Sequence, residues 1–175
     1  MTMSTEPILQ ATPHESEAGY ARLISLLDSH EAQYKLIDHA PEGRTEVVSP
    51  MRGHALRDAA KCMIVMVKIG KKTTRFVLAV VPGDCRVNIA ALQKLYGGTF
   101  ARFADTSVAE RLAGSASGTI LPFPFSDELT LIVDHKLFES STIYFNAARL
   151  DRSVALSSSD YRRIASPRLE NIAQP

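Results

Sequence analysis

Residues 61–81 read KCMIVMVKIGKKTTRFVLAVV, two runs of apolar and β-branched residues on either side of Gly70. Runs of this length that end at turn residues are typical of strands buried on both faces. The sequence therefore predicts two adjacent strands, over residues 62–68 and 74–81, joined by a tight turn at residues 70–72.

Lys61 stands at the entrance of the first of these strands, which is an unusual place for a charge. Burying an unpaired ammonium group is energetically costly. Either the side chain extends along apolar surface until its amine reaches water, or it lines a cleft where it meets an anion or a reacting group. The local pattern favours the first arrangement and leaves the second open.

The segments outside this pair of strands are shorter and of mixed type. Periodicity and capping residues predict helices over residues 15–30, 88–96, 106–112 and 157–165, with short helices between residues 45 and 60. Further strands are predicted over residues 34–38, 99–103, 129–133, 143–146 and 153–156. Because strands outnumber the helices between them, the pattern favours an α+β fold with a mixed sheet.

The composition is that of an ordinary globular domain, with 175 residues, 45% hydrophobic and 22% charged, and a net charge of +1. No overall basic field exists, so any contact with nucleic acid has to come from a local patch. No apolar run approaches the roughly 20 residues that span a bilayer, and the predicted setting is the cytoplasm. We expect residues 1–14 to form a flexible tail and residues 15–170 to form one domain.

The sequence contains none of the familiar motifs for metal or nucleotide binding. The five histidines are dispersed, no Cys-x-x-Cys or His-Glu-x-x-His spacing occurs, and no glycine-rich phosphate loop is present. We therefore predict neither a metal site nor a cofactor. Cys62 and Cys85 are interpreted as reduced core residues, although Cys85 remains an alternative candidate for a nucleophile.

The segment from Gly118 to Phe123 is a candidate for ligand recognition by main-chain groups. Glycine allows close approach of a ligand to the backbone, and the following Pro122 restricts the chain. Such a loop suits stabilisation of an oxyanion by amide groups. The alternative is a strand-to-turn junction held by aromatic packing. Residues 145–148 are likewise either a strand end or a pocket wall.

These pieces, in this order and spacing, resemble a known family. The pattern begins with Lys61 at the start of a buried strand and residues 80–84 at the end of the next strand. The loop from Gly114 to Phe123 follows, and then Asp134, directly after residues 131–133. It ends with the strand pair that finishes at Ser157. It is similar to the aminoacyl-tRNA deacylase domain of bacterial free-standing trans-editing proteins and to the editing insertion of bacterial prolyl-tRNA synthetase. The similarity covers roughly residues 20–164.

The resemblance implies a single compact α+β domain with a mixed, partly barrel-like sheet flanked by helices. It implies a hydrolase that cleaves the ester joining a wrong amino acid to the 3′-terminal adenosine of tRNA, with Lys61 at the position of the family's essential lysine. The implied substrate-binding residues are Gly118, Thr119, Ile120, Leu121, Pro122, Ala147 and Ala148. The implied partner is the acceptor end of aminoacyl-tRNA, with association with an aminoacyl-tRNA synthetase as a further expectation and the oligomeric state left open.

This chain also departs from the family pattern. Thr119 and Leu121 stand where many relatives have a second glycine and a serine, and Ala147 and Ala148 stand where relatives often have paired glycines. Larger side chains reshape an amino-acid pocket, so the edited amino acid is not transferred from any relative. A non-catalytic module that binds tRNA ends or a small amino-acid-like ligand remains the alternative.

The expected chemistry is hydrolysis by water, with Lys61 acting electrostatically rather than as a base, and with amides of residues 118–121 around the acyl group. A local basic patch near Lys61 is expected to contact the tRNA end, and binding should depend only weakly on salt. Its predicted members are Arg44, Arg52, Arg57, Lys71, Lys72 and Arg75.

Overall fold

The computed structural model describes residues 13–175, with side-chain detail from residue 17 onward. The predicted tail, residues 1–14, lies outside the described residues except for its last two. The helices are α1 (Pro13–Ser29), α2 (Thr45–Arg52), α3 (Ile89–Leu95), α4 (Thr106–Ala113) and α5 (Ser158–Ala165), with short 3-10 turns at Leu56–Asp58 and His135–Glu139. The strands are β1 (Tyr34–Asp38), β2 (Ala60–Ile69), β3 (Thr73–Pro82), β4 (Arg86–Val87), β5 (Phe100–Phe103), β6 (Leu129–Asp134), β7 (Thr142–Asn146), β8 (Arg152–Ser157), β9 (Arg168–Glu170) and β10 (Ala173–Gln174).

The two strands predicted from residues 61–81 form the centre of a five-stranded sheet with the order β5-β2-β3-β6-β9. β2 and β3 pair antiparallel along ten residues, from Ala60 opposite Pro82 to Ile69 opposite Thr73. β3 pairs parallel with β6, and β6 pairs parallel with β9, so the sheet is mixed. The predicted α+β fold with a mixed sheet is confirmed.

Both faces of this sheet are covered, which explains why β2 and β3 read as continuous apolar runs. Alternate side chains enter opposite clusters, because successive residues of a strand point to opposite faces. Ile64 and Leu78 pack with α1, α4 and α5 on one face, whereas Val65 and Val77 pack with α3 and the C-terminal segment on the other.

A second sheet, with the order β1-β8-β7, is antiparallel throughout and adjoins the central sheet. The two sheets meet at a single parallel bridge between Ala59 and Tyr144. They do not close into a barrel among the described residues, so the partly barrel-like description applies only to this curved junction. β7 therefore ends beside the beginning of β2.

The C-terminal residues pack onto the domain instead of trailing away from it. β10 pairs with β4, and the buried carboxylate of Asp134 accepts hydrogen bonds from the backbone amides of Ile172 and Ala173, both at 2.7 Å. Strands of two or three residues give no periodic signal, and their anchor lies nearly forty residues earlier, so the sequence pattern did not indicate them.

Tyr161, on α5, is fully buried and supports the loop that follows α4. Its hydroxyl donates a hydrogen bond to the backbone oxygen of Pro122 at 2.7 Å, and its ring packs edge-on against Phe123 with 5.3 Å between centroids. Burial raises the pKa of the phenol well above its usual value. The neutral hydroxyl is therefore the donor that holds the loop at Pro122.

We predict that Tyr161→Phe lowers the free energy of unfolding by about 1–3 kcal/mol, because the carbonyl of Pro122 loses a buried donor. Urea denaturation measures this change. Tyr34→Phe is the matched control, since its hydroxyl bonds to Asp28 at an exposed position, and its effect should be smaller. Equal effects of the two substitutions would contradict a structural role for the Tyr161 hydrogen bond.

Candidate functional site

A cavity of ≈ 240 Å³ opens beside the first residues of β2. β5 pairs only with residues 65–68 of β2, so the preceding residues have no partner strand on that side. α2 with the turn before it, the end of β7 and the loop after α4 complete the walls. The lining residues are Gly43, Arg44, Thr45, Val48, Arg52, Ala60, Lys61, Cys62, Met63, Gly118, Ile120, Phe145 and Asn146.

Lys61 lies in the wall of this cavity, with its side chain 21% exposed. Its ammonium donates a hydrogen bond to the backbone oxygen of Cys85 at 3.0 Å and lies 3.9 Å from Oε1 of Glu46. Lys61 is therefore among the residues that line the cavity, while the two partners of its amine, Cys85 and Glu46, lie outside that lining. The amine is also held in place by the turn after β3.

Gly118 forms the opposite wall, where two loops touch backbone to backbone. Its φ of +85° lies in the left-handed region, and a Cβ at this position would come within 2.8 Å of the Cα of Gly43. Only glycine fits both the conformation and the space. From the sequence, a glycine at this position was expected to let a ligand come close to the backbone. In the structure it is the backbone of Gly43 that comes close.

Asn146, at the end of β7, fastens these two loops together. Its Nδ2 donates hydrogen bonds to the backbone oxygens of Glu42 and Gly118, each at 2.9 Å. Its Oδ1 accepts a hydrogen bond from the hydroxyl of Ser153 at 2.9 Å. One side-chain amide therefore fixes both walls of the cavity relative to the sheet.

The other predicted substrate-binding residues lie behind the cavity. The hydroxyl of Thr119 donates to the backbone oxygen of Ala116 at 2.7 Å, while Leu121 packs into the main core. Pro122 is buried, and Ala147 and Ala148 are 0% and 1% exposed in the same core. The cavity lining therefore includes Lys61, Gly118 and Ile120 and not these five. Their contribution to substrate binding stays a prediction.

Arg52, on α2, was predicted only as one member of the basic patch, and the structure places it in a polar network beside the cavity. It is 9% exposed, and its Nε donates to Nε2 of His54 at 3.0 Å while Nη1 donates to Oγ of Ser153 at 3.1 Å. Burial lowers the pKa of its guanidinium to about 10. At neutral pH the group is therefore still a cation.

His54 serves as a neutral acceptor in this network. Its ring stacks on Tyr144 with 3.8 Å between centroids, and burial lowers the pKa of its imidazole. Nδ1 lies 2.8 Å from the backbone oxygen of Ala55, so the neutral ring carries its proton there and leaves Nε2 free to accept from Arg52. Nothing in the sequence pattern relates His54 to Ser153, because their link is tertiary.

The predicted basic patch is only partly formed. Arg44 and Arg52 line the cavity with Lys61, and Arg57 lines a neighbouring depression. The prediction is wrong for Lys71, Lys72 and Arg75, which lie at or beside the turn between β2 and β3. Ten residues of extended chain span about 30 Å, so the length of the hairpin separates these side chains from Lys61.

Cys85 has the environment of a protonated thiol. Its Sγ lies 3.4 Å from Oδ1 of Asp84, and burial together with this carboxylate raises the pKa of the thiol. A thiol of this kind is a poor nucleophile at neutral pH. The geometry therefore disfavours the cysteine alternative.

Residues 13–175 contain neither a group of metal-ligating side chains nor a helix that could cross a membrane. In this part of the chain, no three His, Cys, Asp or Glu side chains lie close enough together to hold a metal ion. None of the helices described has the length and apolar character needed to cross a membrane.

Comparison with known proteins agrees with the fold. The profile of the aminoacyl-tRNA editing domain matches residues 39–164. The chain is 39% identical over 153 residues to the multifunctional Ser/Thr-tRNA deacylase ProXp-y of Escherichia coli K12, an alignment that covers 87% of this chain and 91% of the relative. The protein of the same description from Escherichia coli O157:H7 matches equally well.

Solved structures share the fold at low sequence identity. One, described as a hypothetical protein, has a TM-score of 0.78 at 18% identity and covers 87% of this chain and 99% of its own. Another, described as a candidate trans-editing enzyme for prolyl tRNA synthetase, has a TM-score of 0.74 at 16% identity and covers 90% and 98%. The predicted family and activity are confirmed: this chain belongs to the aminoacyl-tRNA editing domain family and is a trans-editing deacylase of mischarged aminoacyl-tRNA.

Proposed function

We propose that this deacylase acts on tRNA mischarged with a small hydroxyl-bearing amino acid, serine or threonine, and that it cleaves the ester in the cavity between Lys61 and Gly118. The observation that carries the location is that the Lys61 side chain and the Gly118 loop line one cavity. The relative that is 39% identical over most of both chains is described as a Ser/Thr-tRNA deacylase, which supports the choice of amino acid.

The lining of the cavity suits a short side chain that carries a hydroxyl. Val48, Ile120 and Phe145 supply apolar surface, whereas Thr45 and Asn146 supply polar groups. A site built to hydrogen-bond a substrate hydroxyl discriminates strongly against an analogue without it, because buried polar groups are then left unpaired.

The proposed reaction needs water and charge stabilisation from the protein. The oxygen of a water molecule adds to the ester carbonyl carbon, and the carbonyl oxygen becomes an oxyanion. Collapse of this intermediate breaks the bond to the ribose oxygen. That oxygen takes up one proton of the attacking water and leaves as a hydroxyl of the terminal adenosine, and the other proton is released when the free amino acid's carboxyl group ionises. The ammonium of Lys61 and the backbone amides beside Gly118 stabilise the negative charge that develops on the carbonyl oxygen.

The proposed contact with tRNA is confined to the acceptor end. The protein has a net charge of +1, and three of the predicted basic residues lie far from the cavity, so few phosphates are neutralised. We place this activity in the cytoplasm, where charged tRNA is used. Association with an aminoacyl-tRNA synthetase remains a prediction that co-purification with the prolyl, seryl or threonyl enzyme tests.

The substrate assignment is tested with a panel of tRNAs charged with serine, threonine, alanine, cysteine and proline. We expect kcat/KM for the seryl and threonyl esters to exceed that for the alanyl ester by at least tenfold, because alanine lacks the hydroxyl. Release of labelled amino acid measures the rate. Preferential cleavage of alanyl-tRNA or cysteinyl-tRNA would refute the assignment, and turnover of none would favour a binding module.

Lys61→Ala should lower kcat/KM on the preferred substrate by about 10²–10³-fold, the usual loss when one oxyanion-stabilising group is removed. Lys68→Ala, an exposed lysine at the far end of the same strand, is the matched control and should change kcat/KM less than twofold. Cys85→Ser should also retain activity. The opposite result, an inactive Cys85 variant and an active Lys61 variant, would establish the cysteine mechanism instead.

Gly118→Ala should reduce deacylation at least tenfold, because the added Cβ collides with the backbone of Gly43 and displaces the loop amides. Gly70→Ala is the control, since Gly70 also has positive φ (+63°) but has open space around its Cβ position. Both substitutions carry the left-handed backbone cost of about 1–2 kcal/mol. If the two variants deacylate at the same rate, the closeness of the loops is irrelevant to catalysis.

A further inference from the structure

Three cationic side chains line the cavity, and they differ in what neutralises them. Arg44 forms a two-pronged pair with Glu42, at 2.9 Å from Nε and 3.2 Å from Nη2, and its side chain is 73% exposed. Lys61 lies 3.9 Å from Glu46. Arg52 has no carboxylate within ion-pair distance among the residues that the structure describes.

The partners of the Arg52 guanidinium are all neutral. Nε is bound to a histidine nitrogen and one Nη1 hydrogen to a serine hydroxyl, so three of its five N–H groups have no acceptor on the described protein. The one side-chain polar atom there that is sealed from solvent without a partner is the hydroxyl of Tyr96. Nη2 of Arg52, which has no partner among the described residues, is therefore not sealed off from solvent, and Arg52 is among the residues that line the cavity.

A cation that is nine-tenths buried and lacks a counter-charge is strongly unfavourable by itself. The two hydrogen bonds on Nε and Nη1 hold the planar group in a fixed orientation, with its remaining donors unused. Arginine in this state is well suited to an oxygen anion, because its planar fork matches such a group in two places.

We propose that Arg52 is the anion-binding residue of the active site and that it takes an oxygen anion of the aminoacyl-tRNA end. Two such anions occur on this substrate: the phosphate that links the last two nucleotides, and the oxyanion that forms on the ester carbonyl during hydrolysis. The inference depends on the proposed location of the site in this cavity. Arg52 then supplies the uncompensated charge that neither Arg44 nor Lys61 offers.

The test compares Arg52→Gln, which removes the charge, with Arg52→Lys, which keeps it, on two substrates. One is the preferred mischarged tRNA, and the other is the same amino acid esterified to adenosine, which has no phosphate. Arg111→Gln is the matched control, because Arg111 is exposed and already pairs with Glu128 at 3.3 Å on the surface.

On tRNA, we expect Arg52→Gln to lower kcat/KM at least tenfold, Arg52→Lys to lose less, and Arg111→Gln to change it less than twofold. An equal loss on the adenosine ester identifies the oxyanion as the ligand. A loss on tRNA alone identifies the phosphate, and the salt dependence of log KM then becomes shallower by about 0.7. Activity of Arg52→Gln within twofold of the unsubstituted protein on tRNA would overturn the proposal.

A purely structural role of Arg52 gives a different result. Arg52→Gln and Arg52→Lys would then lose activity equally on both substrates and unfold at lower temperature, and this outcome also overturns the proposal. If Arg52→Gln does not fold, the unsubstituted protein is titrated with inorganic phosphate instead. The ¹⁵N resonance of the Arg52 Nε group is monitored during this titration. A shift of that resonance supports the proposal, and no shift overturns it.

Failure of the substrate assignment is separable from failure of this inference. If the panel of charged tRNAs shows a preference for another amino acid, the tRNA ester and the adenosine ester are prepared with that amino acid. The comparison of the Arg52 variants on these two substrates is then carried out in the same way. If Lys61→Ala keeps full activity, the proposed role of Lys61 fails, whereas the Arg52 variants and the phosphate titration still report whether Arg52 binds an anion.

Discussion

The geometry of the candidate cavity depends on the side-chain amide of Asn146. It donates to the turn before α2 and to the loop after α4 at once, and both bonds are 2.9 Å long. The two loops are more than seventy residues apart in the chain and contact each other through Gly43 and Gly118, which have no side chains to interlock. The hydrogen bonds of Asn146 to both loops therefore fix the distance between them.

Asn146 is itself held by Ser153, whose hydroxyl donates to Oδ1, and Ser153 in turn accepts from Arg52. Asn146 and Ser153 are buried and find their partners within the protein, whereas Arg52 keeps free N–H groups. Such a network favours one arrangement of the cavity walls over many similar ones. It also connects α2, which carries Arg52, to the loop that carries Gly118.

The sequence was sufficient to predict the centre of the fold but not the centre of the site. β2 and β3 were predictable because both are buried on two faces and therefore consist of uninterrupted apolar runs. Lys61 stood out because its charge interrupts the beginning of that pattern. Asn146 and Arg52 carried only weak signals, as part of a segment that was either a strand end or a pocket wall and as one of six candidate basic residues. Ser153 carried none, and the partners that link Arg52 to Ser153 and Asn146 to Glu42 are about a hundred residues apart in the chain.

The error in the basic patch has a similar cause. Lys71, Lys72 and Arg75 are near Lys61 in number, and proximity along the chain suggested proximity in space. A strand pair of ten residues places its turn at the opposite end of the sheet from its entrance. Arg52 is as near to Lys61 in number as Lys71 is, yet α2 folds back and brings it to the same cavity.

The different surroundings of Lys61 and Arg52 bear on how the rate is raised. Only an interaction that is stronger in the transition state than in the ground state accelerates the chemical step. Lys61 already interacts with a carbonyl oxygen and lies near a carboxylate, so part of its charge is offset before substrate arrives. Arg52 has neutral partners alone, fixed before binding, and it needs no rearrangement when negative charge appears. On the proposed location of the site, a preoriented cation of this kind is the stronger source of differential stabilisation, and the role proposed for Lys61 is to follow the substrate's oxygen as its charge grows.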